Sequence, residues 1–239
     1  MLSGKNLENE MKKTVVILQS NYIPWKGYFD LINSADEFVF YDDVQYTTGD
    51  WRNRNKIKTE DGTKWLTIPV GDNIKRTVKE VRFENNDWKS KHFQILKKYY
   101  SKAPFYEISL PLINSLYFNE IGTLSEYNQF AIKEISNWLG IKTTFNDSSI
   151  YAPEGDKISR LIDILLKTKA TEFLCGPAVK NYLKQELIQE QGISMRYFDY
   201  YGYREYNQLF PPFIHEVSIL DLICNEGKHS IEFLKSYTS

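Results

Sequence analysis

The stretch Thr14-Val-Val-Ile-Leu18 is apolar or β-branched throughout, with no polar alternation. A strand with one face in water alternates apolar and polar residues. One without alternation has both faces covered, as in a parallel sheet between two layers of helices. Glu37-Phe-Val-Phe-Tyr41 repeats the pattern, and Trp25 to Ala35 between them has helical spacing at Trp25, Tyr28, Phe29 and Ile32. Strand, helix and strand so close together form a βαβ unit, expected to be parallel and right-handed.

A second passage has the same rhythm. Ile141 to Phe145, Glu172 to Cys175 and Ile193 to Phe198 read as strands, separated by helices over Lys157 to Lys167 and Pro177 to Gln189. Between the passages, Asn86 or Asp87 caps a helix to Tyr100, and Thr123-Leu-Ser-Glu126 is a capping box opening a helix that Gly140 stops. Residues 42–83 differ in kind. Lys56 to Thr59 and Trp65 to Pro69 flank Asp61-Gly62 as a hairpin, with Lys79 to Phe83 as a third short strand. The expected fold is α/β: a Rossmann-like parallel sheet with flanking helices and a small antiparallel β insertion. One domain over residues 11–239 follows a disordered extension, residues 1–10, that lacks an apolar signal-peptide core.

Composition excludes several classes. A formal net charge of −1 argues against nucleic-acid binding by bulk charge. No apolar run is long enough for a membrane span, so a cytoplasmic protein is expected. Cys175 and Cys224 lie in apolar surroundings and read as reduced, buried thiols, and no Cys/His spacing suggests a metal site. Aromatic residues make up 15% of the chain, enough to furnish stacking surfaces as well as core.

In a parallel sheet, ligands bind where the chain leaves the carboxyl ends of the strands. Three polar clusters fall there. The first supplies Gln19, Asn21, Tyr22, Trp25 and Gly27. The second supplies Asp42 and Asp43 as base or metal-holding carboxylates, then Gln45, Tyr46, Trp51 and Asn53, with Arg52, Arg54 and Lys56 to clamp phosphate and Trp51 to stack on a base; a solvated strand end and hairpin face are the alternative reading. Gly176 opens the helix after Cys175. Weaker candidates are Ser148, Ser149, Lys157 and Arg160 near a helix start capped by Asp156, with a solvated surface as the alternative reading. Late in the chain, Gln208 lies in an aromatic loop, and His215 is the histidine considered for acid–base work. Ser218 and Asp221 read as a helix cap.

The motifs Gln19-x-x-Tyr22-x-Pro24-Trp25-x-Gly27-Tyr28-Phe29, Tyr41-Asp-Asp-Val-Gln45-Tyr46 and Arg52-Asn53-Arg54-Asn55-x-Ile57-Lys58 resemble the WbqC-like proteins of bacterial surface-polysaccharide gene clusters. Ser218-Ile-Leu-Asp-Leu222 resembles the same family's terminal motif, and Ser20 stands where the family usually has proline. The resemblance implies a setting in O-antigen biosynthesis, with a nucleotide-sugar and a small activated donor as partners. Amide-forming acyl or aminoacyl transfer to a sugar amine is the leading expectation; a metal-dependent glycosyltransferase and a non-enzymatic glycan- or nucleotide-binding protein are the alternatives. The strand–loop–Gly–helix opening also resembles nucleotidyl-transferring proteins of the HIGH-motif superfamily, which raises ATP and Mg²⁺ as cofactor candidates. Pro24-Trp-Lys-Gly27 stands where the histidines of that motif would be.

Overall fold

The computed structural model describes residues 12–238, so the extension assigned to residues 1–10 lies outside the described residues. The strands are β1 (Thr14–Leu18), β2 (Glu37–Phe40), β3 (Arg54–Thr59), β4 (Gly62–Thr67), β5 (Thr144–Asp147), β6 (Glu172–Cys175) and β7 (Ser194–Tyr197). The helices are α1 (Lys26–Asn33), α2 (Asp87–Tyr100), α3 (Tyr106–Tyr117), α4 (Leu124–Leu139), α5 (Lys157–Lys167), α6 (Gln185–Gln189) and α7 (Ile219–Glu226).

Five strands form one parallel sheet in the order β5-β2-β1-β6-β7, and β3 and β4 form a separate antiparallel pair. Successive residues of β1 face opposite ways. Val16 packs with Phe38, Phe40 and the helices α1 to α4 and α7. Val15 and Ile17 pack with Val39, Phe173 and the α5 residues Leu161, Ile164 and Leu165. Both faces are covered, which is why β1 and β2 carry no polar alternation. The chain leaves β1 toward β2 and β5, then returns on the other side as β6 and β7, so the strand order reverses beside β1. The carboxyl rim there is where doubly wound sheets bind ligands.

Four local expectations are corrected. Lys79 to Phe83 is not a strand: Val78–Glu80 is a single 3-10 turn, closed because the Glu80 carboxylate accepts from the Thr77 N–H at 2.7 Å. The helix expected over Pro177 to Gln189 is two pieces, a 3-10 turn Pro177–Asn181 and the short α6. Between them Tyr182 leaves helical geometry, and its ring lies 3.9 Å from the Lys157 ammonium. The strand expected from Ile141 begins later, at Thr144. Gly140, at φ 80°, and Ile141 instead close α4, with Gly140 N–H bonded to Asn137 O and Ile141 N–H to Ser136 O. Finally α3, to which the sequence reading assigned no element, tolerates Pro111 within it. Both cysteines are buried and free.

Candidate functional site

The loop between β1 and α1 is held in a costly shape. Ile23 has φ +33°, a region that β-branched residues avoid, yet it is fully buried. Asn55 of β3 donates to the carbonyls of Tyr22 and Ile23 at 3.1 and 2.8 Å. The Ile219 N–H at the start of α7 takes the Pro24 carbonyl, and Tyr28 Oη donates to the Gln19 carbonyl at 2.8 Å. Tyr22 points away from the rim into the core, where its hydroxyl meets His92 Nδ1 at 2.7 Å and the Tyr117 hydroxyl at 2.9 Å. Trp25 folds back over Gly27 so closely that a β-carbon at residue 27 would lie 2.3 Å from the indole. Alanine in place of glycine in a helix normally stabilises by about 1 kcal/mol. Here Gly27→Ala must displace the ring, and a urea titration is expected to show a loss of about 2 kcal/mol instead.

The adjacent carboxylates have opposite surroundings. Asp42 is fully buried and accepts from Ser20 N–H and Oγ (2.8 and 2.7 Å), Ser125 Oγ (2.6 Å) and Gln129 Nε2 (3.3 Å). Burial raises its pKa, and these donors oppose the rise. Asp42 therefore ties the opening loop to α4 and reaches no cavity. Asp43 is half-buried, pairs with Arg160 of α5 and accepts from Ser148 Oγ at 2.5 Å.

Two cavities flank the opening loop. The larger, about 560 Å³, lies at the carboxyl rim of β1 and β2 under the first turn of α5. Arg52, Arg160 and Lys157 line it together with Gln19, Gln45 and Thr47, and no carboxylate does. Arg52 donates to Gln19 Oε1 and Asp50, so its fork is already oriented across the mouth. Apolar walls come from Ile17, Leu18, Val44 and Leu161, with the rings of Tyr41 and Tyr182. Such a mix of apolar walls and converging cations can hold a phosphorylated ligand carrying a flat or apolar group. The smaller cavity, about 200 Å³, is bounded by Trp25, Tyr28, Trp51, Pro24, Asn21, Asn55 and Glu216.

Residues 19–233 match the model of the WbqC-like protein family. This chain belongs to that family. A relative in Mycobacterium tuberculosis, named as the uncharacterized protein Rv1507c, is 40% identical over 226 residues, 93% of this chain and 98% of the relative. No solved structure matches.

The WbqC-like chain thus gathers part of the expected set. Gln19, Gln45 and the paired Asp43–Arg160 meet at or beside the large cavity, while Asn21, Trp25 and Trp51 meet at the small one. Arg54 and Lys56 instead lie on the outer face of the hairpin, 4.4 and 5.0 Å from the Trp65 ring. Tyr46 is fully buried, and Asn53 donates to the Ile68 carbonyl at 3.1 Å. Gly176 opens a 3-10 turn too short to form a helical anion site, and lines neither cavity. Gln208 donates to buried Asp221 at 2.8 Å, also 2.6 Å from the Tyr206 hydroxyl, and braces the late loop. His215 packs edge-on to Phe213 outside both cavities, with its pKa lowered by burial and then by Lys26. Among the described residues, no three His, Cys, Asp or Glu side chains are grouped to hold a metal. No described helix is long and apolar enough to cross a membrane.

The sequence reading missed Thr47, Tyr182, Tyr28 and Glu216, and left Lys157 and Arg160 open as surface groups. A signal for the last two was present. Lys157, Arg160, Leu161 and Ile164 follow the spacing of one helical face. Cations in the first turn of a buried stripe mark the place where the helix overhangs the sheet's rim.

Proposed function

We propose that this chain is a cytoplasmic enzyme of bacterial surface-polysaccharide assembly. It modifies a nucleotide-linked amino sugar by transferring an acyl or aminoacyl group to the sugar amine, forming an amide. The observation that carries this reading is the cavity at the sheet's switch point, lined by Arg52, Arg160 and Lys157, whose two guanidiniums are oriented by Asp50 and Asp43 from outside the lining. Guanidinium forks suit a diphosphate, and the Tyr41 and Tyr182 rings suit a base. Asp43 positions Arg160 for the phosphate. In the transfer, the amine lone pair forms the bond to the acyl carbon. The donor's leaving group departs with the bonding pair, and the nitrogen's proton passes to a carboxylate.

Nucleoside diphosphates and nucleotide-sugars are expected to raise the melting temperature. Arg160→Ala is expected to weaken their binding at least about tenfold, since it removes a charge-assisted contact. Mass spectrometry of an amino-sugar nucleotide incubated with activated acyl donors is expected to show the mass of the amide. Wild-type protein that responds to no nucleotide would sink the reading.

A further inference from the structure

The smaller cavity is built for a different chemistry from the larger one. Trp25, Trp51, Tyr28 and Pro24 supply its aromatic and apolar lining, and Glu216 is the one carboxylate that lines it. Trp25 is held firmly, whereas Trp51 is 45% exposed and rests on a single neighbouring ring. Trp25 is pressed onto Gly27 and backed by Tyr200 and Tyr203, with ring centroids 5.7 and 5.6 Å away. Trp51 is backed by Trp65 at 5.5 Å, and its carbonyl accepts from Tyr22 N–H at 2.9 Å, which ties it to the opening loop. A wall such as Trp25, fixed before binding, loses little freedom when a ligand arrives.

Size and charge narrow the occupant. A cavity of about 150 Å³ holds a benzene ring, so about 200 Å³ admits one six-membered ring and its substituents. Aromatic faces favour the C–H face of a sugar ring or a cation; they do nothing for an anion. Glu216 is exposed and takes part in none of the ion pairs among the described residues. Two aromatic walls and an unpaired carboxylate together select a ring that bears an ammonium.

The two cavities are also adjacent. Trp51 lines the small one and its neighbour Arg52 the large one; Tyr28 lines the small one and donates to the carbonyl of Gln19, which lines the large one. A ligand with phosphates on Arg52 and a sugar ring on Trp51 has only one residue to cross.

We infer that the Trp25–Trp51 slot is the amino-sugar subsite, with the ring between the indoles and its ammonium on Glu216. The slot's preference for an ammonium-bearing ring follows from its own lining; the link to a nucleotide and the amide-forming step rest on the reading above. On the acyl-transfer reading, Glu216 is then the carboxylate that takes the first proton and frees the nitrogen lone pair to form the C–N bond; the second proton leaves the nitrogen with the donor's departing group as the amide forms. The neutral product loses its ion pair, which favours release.

The test uses free monosaccharides with the full chain, read by tryptophan fluorescence. Glucosamine is expected to give a saturable change, with glucose and N-acetylglucosamine binding about tenfold more weakly. Glu216→Gln is expected to abolish that preference, and Trp51→Phe to remove most of the optical change. Equal binding of glucose and glucosamine, no saturable response to glucosamine, or a preference surviving in Glu216→Gln would each overturn the inference. A parallel titration with UDP alone separates the two proposals. UDP binding without amino-sugar preference rejects the subsite and keeps the nucleotide reading; amino-sugar preference with no response to UDP or any other nucleotide does the reverse.

Discussion

Replacing Asp42 with alanine is expected to destabilise the protein by about 3 kcal/mol, whereas Asp43→Asn is expected to change stability by less than about 1 kcal/mol. The difference follows from what each carboxylate holds. Four donors converge on Asp42 from Ser20, Ser125 and Gln129, all within 3.3 Å, and the side chain is fully buried. An acceptor-only carboxylate satisfies all of them. Alanine leaves the Ser20 and Ser125 donors buried without this partner, while Gln129 keeps Asp147 at 3.0 Å, and it cuts the opening loop from α4. For a chain of this length the melting temperature is expected to fall by roughly 10 °C. Asp42→Asn should lose less than half as much, because the Ser20 and Ser125 hydroxyls can rotate to donate elsewhere or accept. Asp43 is half-exposed and pairs with Arg160 beside the large cavity, so its loss should appear in ligand affinity. Asp43→Asn is expected to weaken nucleotide binding about tenfold with a near-native melting curve. Equal melting losses in Asp42→Ala and Asp43→Asn would reject this division of labour.

Much of that division was already in the sequence. Side chains of β2 alternate across the sheet, with Phe38 and Phe40 on one face and Val39 and Tyr41 on the other. Carrying the alternation two residues further puts Asp42 on the α4 side and Asp43 on the α5 side, as observed. The strands of the sheet were legible because burial on both faces leaves unbroken apolar runs. Helix α3 was not, because Pro111 reads locally as a breaker while its cost is offset by packing of Leu112, Ile113 and Leu116 in the core. Glu216 was beyond local reading for another reason. It reaches the small cavity through long-range pairing, in which Ser218 N–H bonds to Lys56 O and Ile219 N–H to Pro24 O. Ser20 stands where the resemblance implies a proline. It supplies two of the donors on Asp42, and a proline there would supply neither.

Acidification from pH 7 to pH 5 is expected to weaken the fold through His92 and, with it, binding at both cavities. Burial lowers the His92 pKa from 6.5 to about 4, against a hydrogen bond with the Thr67 backbone that raises it. The unfolded chain takes up a proton near pH 6.5 and the native protein does so only near pH 4. Between those values the unfolded state binds more protons, so stability is complete above pH 6.5 and drains away as the pH falls toward 4. The contribution lost is about 2 kcal/mol by pH 5 and about 3 kcal/mol below pH 4. Asp42 and Asp221, whose pKa values burial raises, act in the opposite sense, so the comparison with a variant is what isolates the histidine. Urea midpoints of wild type and His92→Gln at pH 7 and pH 5 make that comparison. The variant starts less stable, because Tyr22 loses its 2.7 Å partner, but its stability should fall by about 2 kcal/mol less over the interval. An identical fall in both proteins would remove His92 from the account. Tyr22 belongs to the loop that lies between the two cavities, so a charged His92 disturbs the peptide groups that Asn55 holds in place. Ligand affinity measured in the same interval is therefore expected to decline with stability in the wild type, and less steeply in His92→Gln.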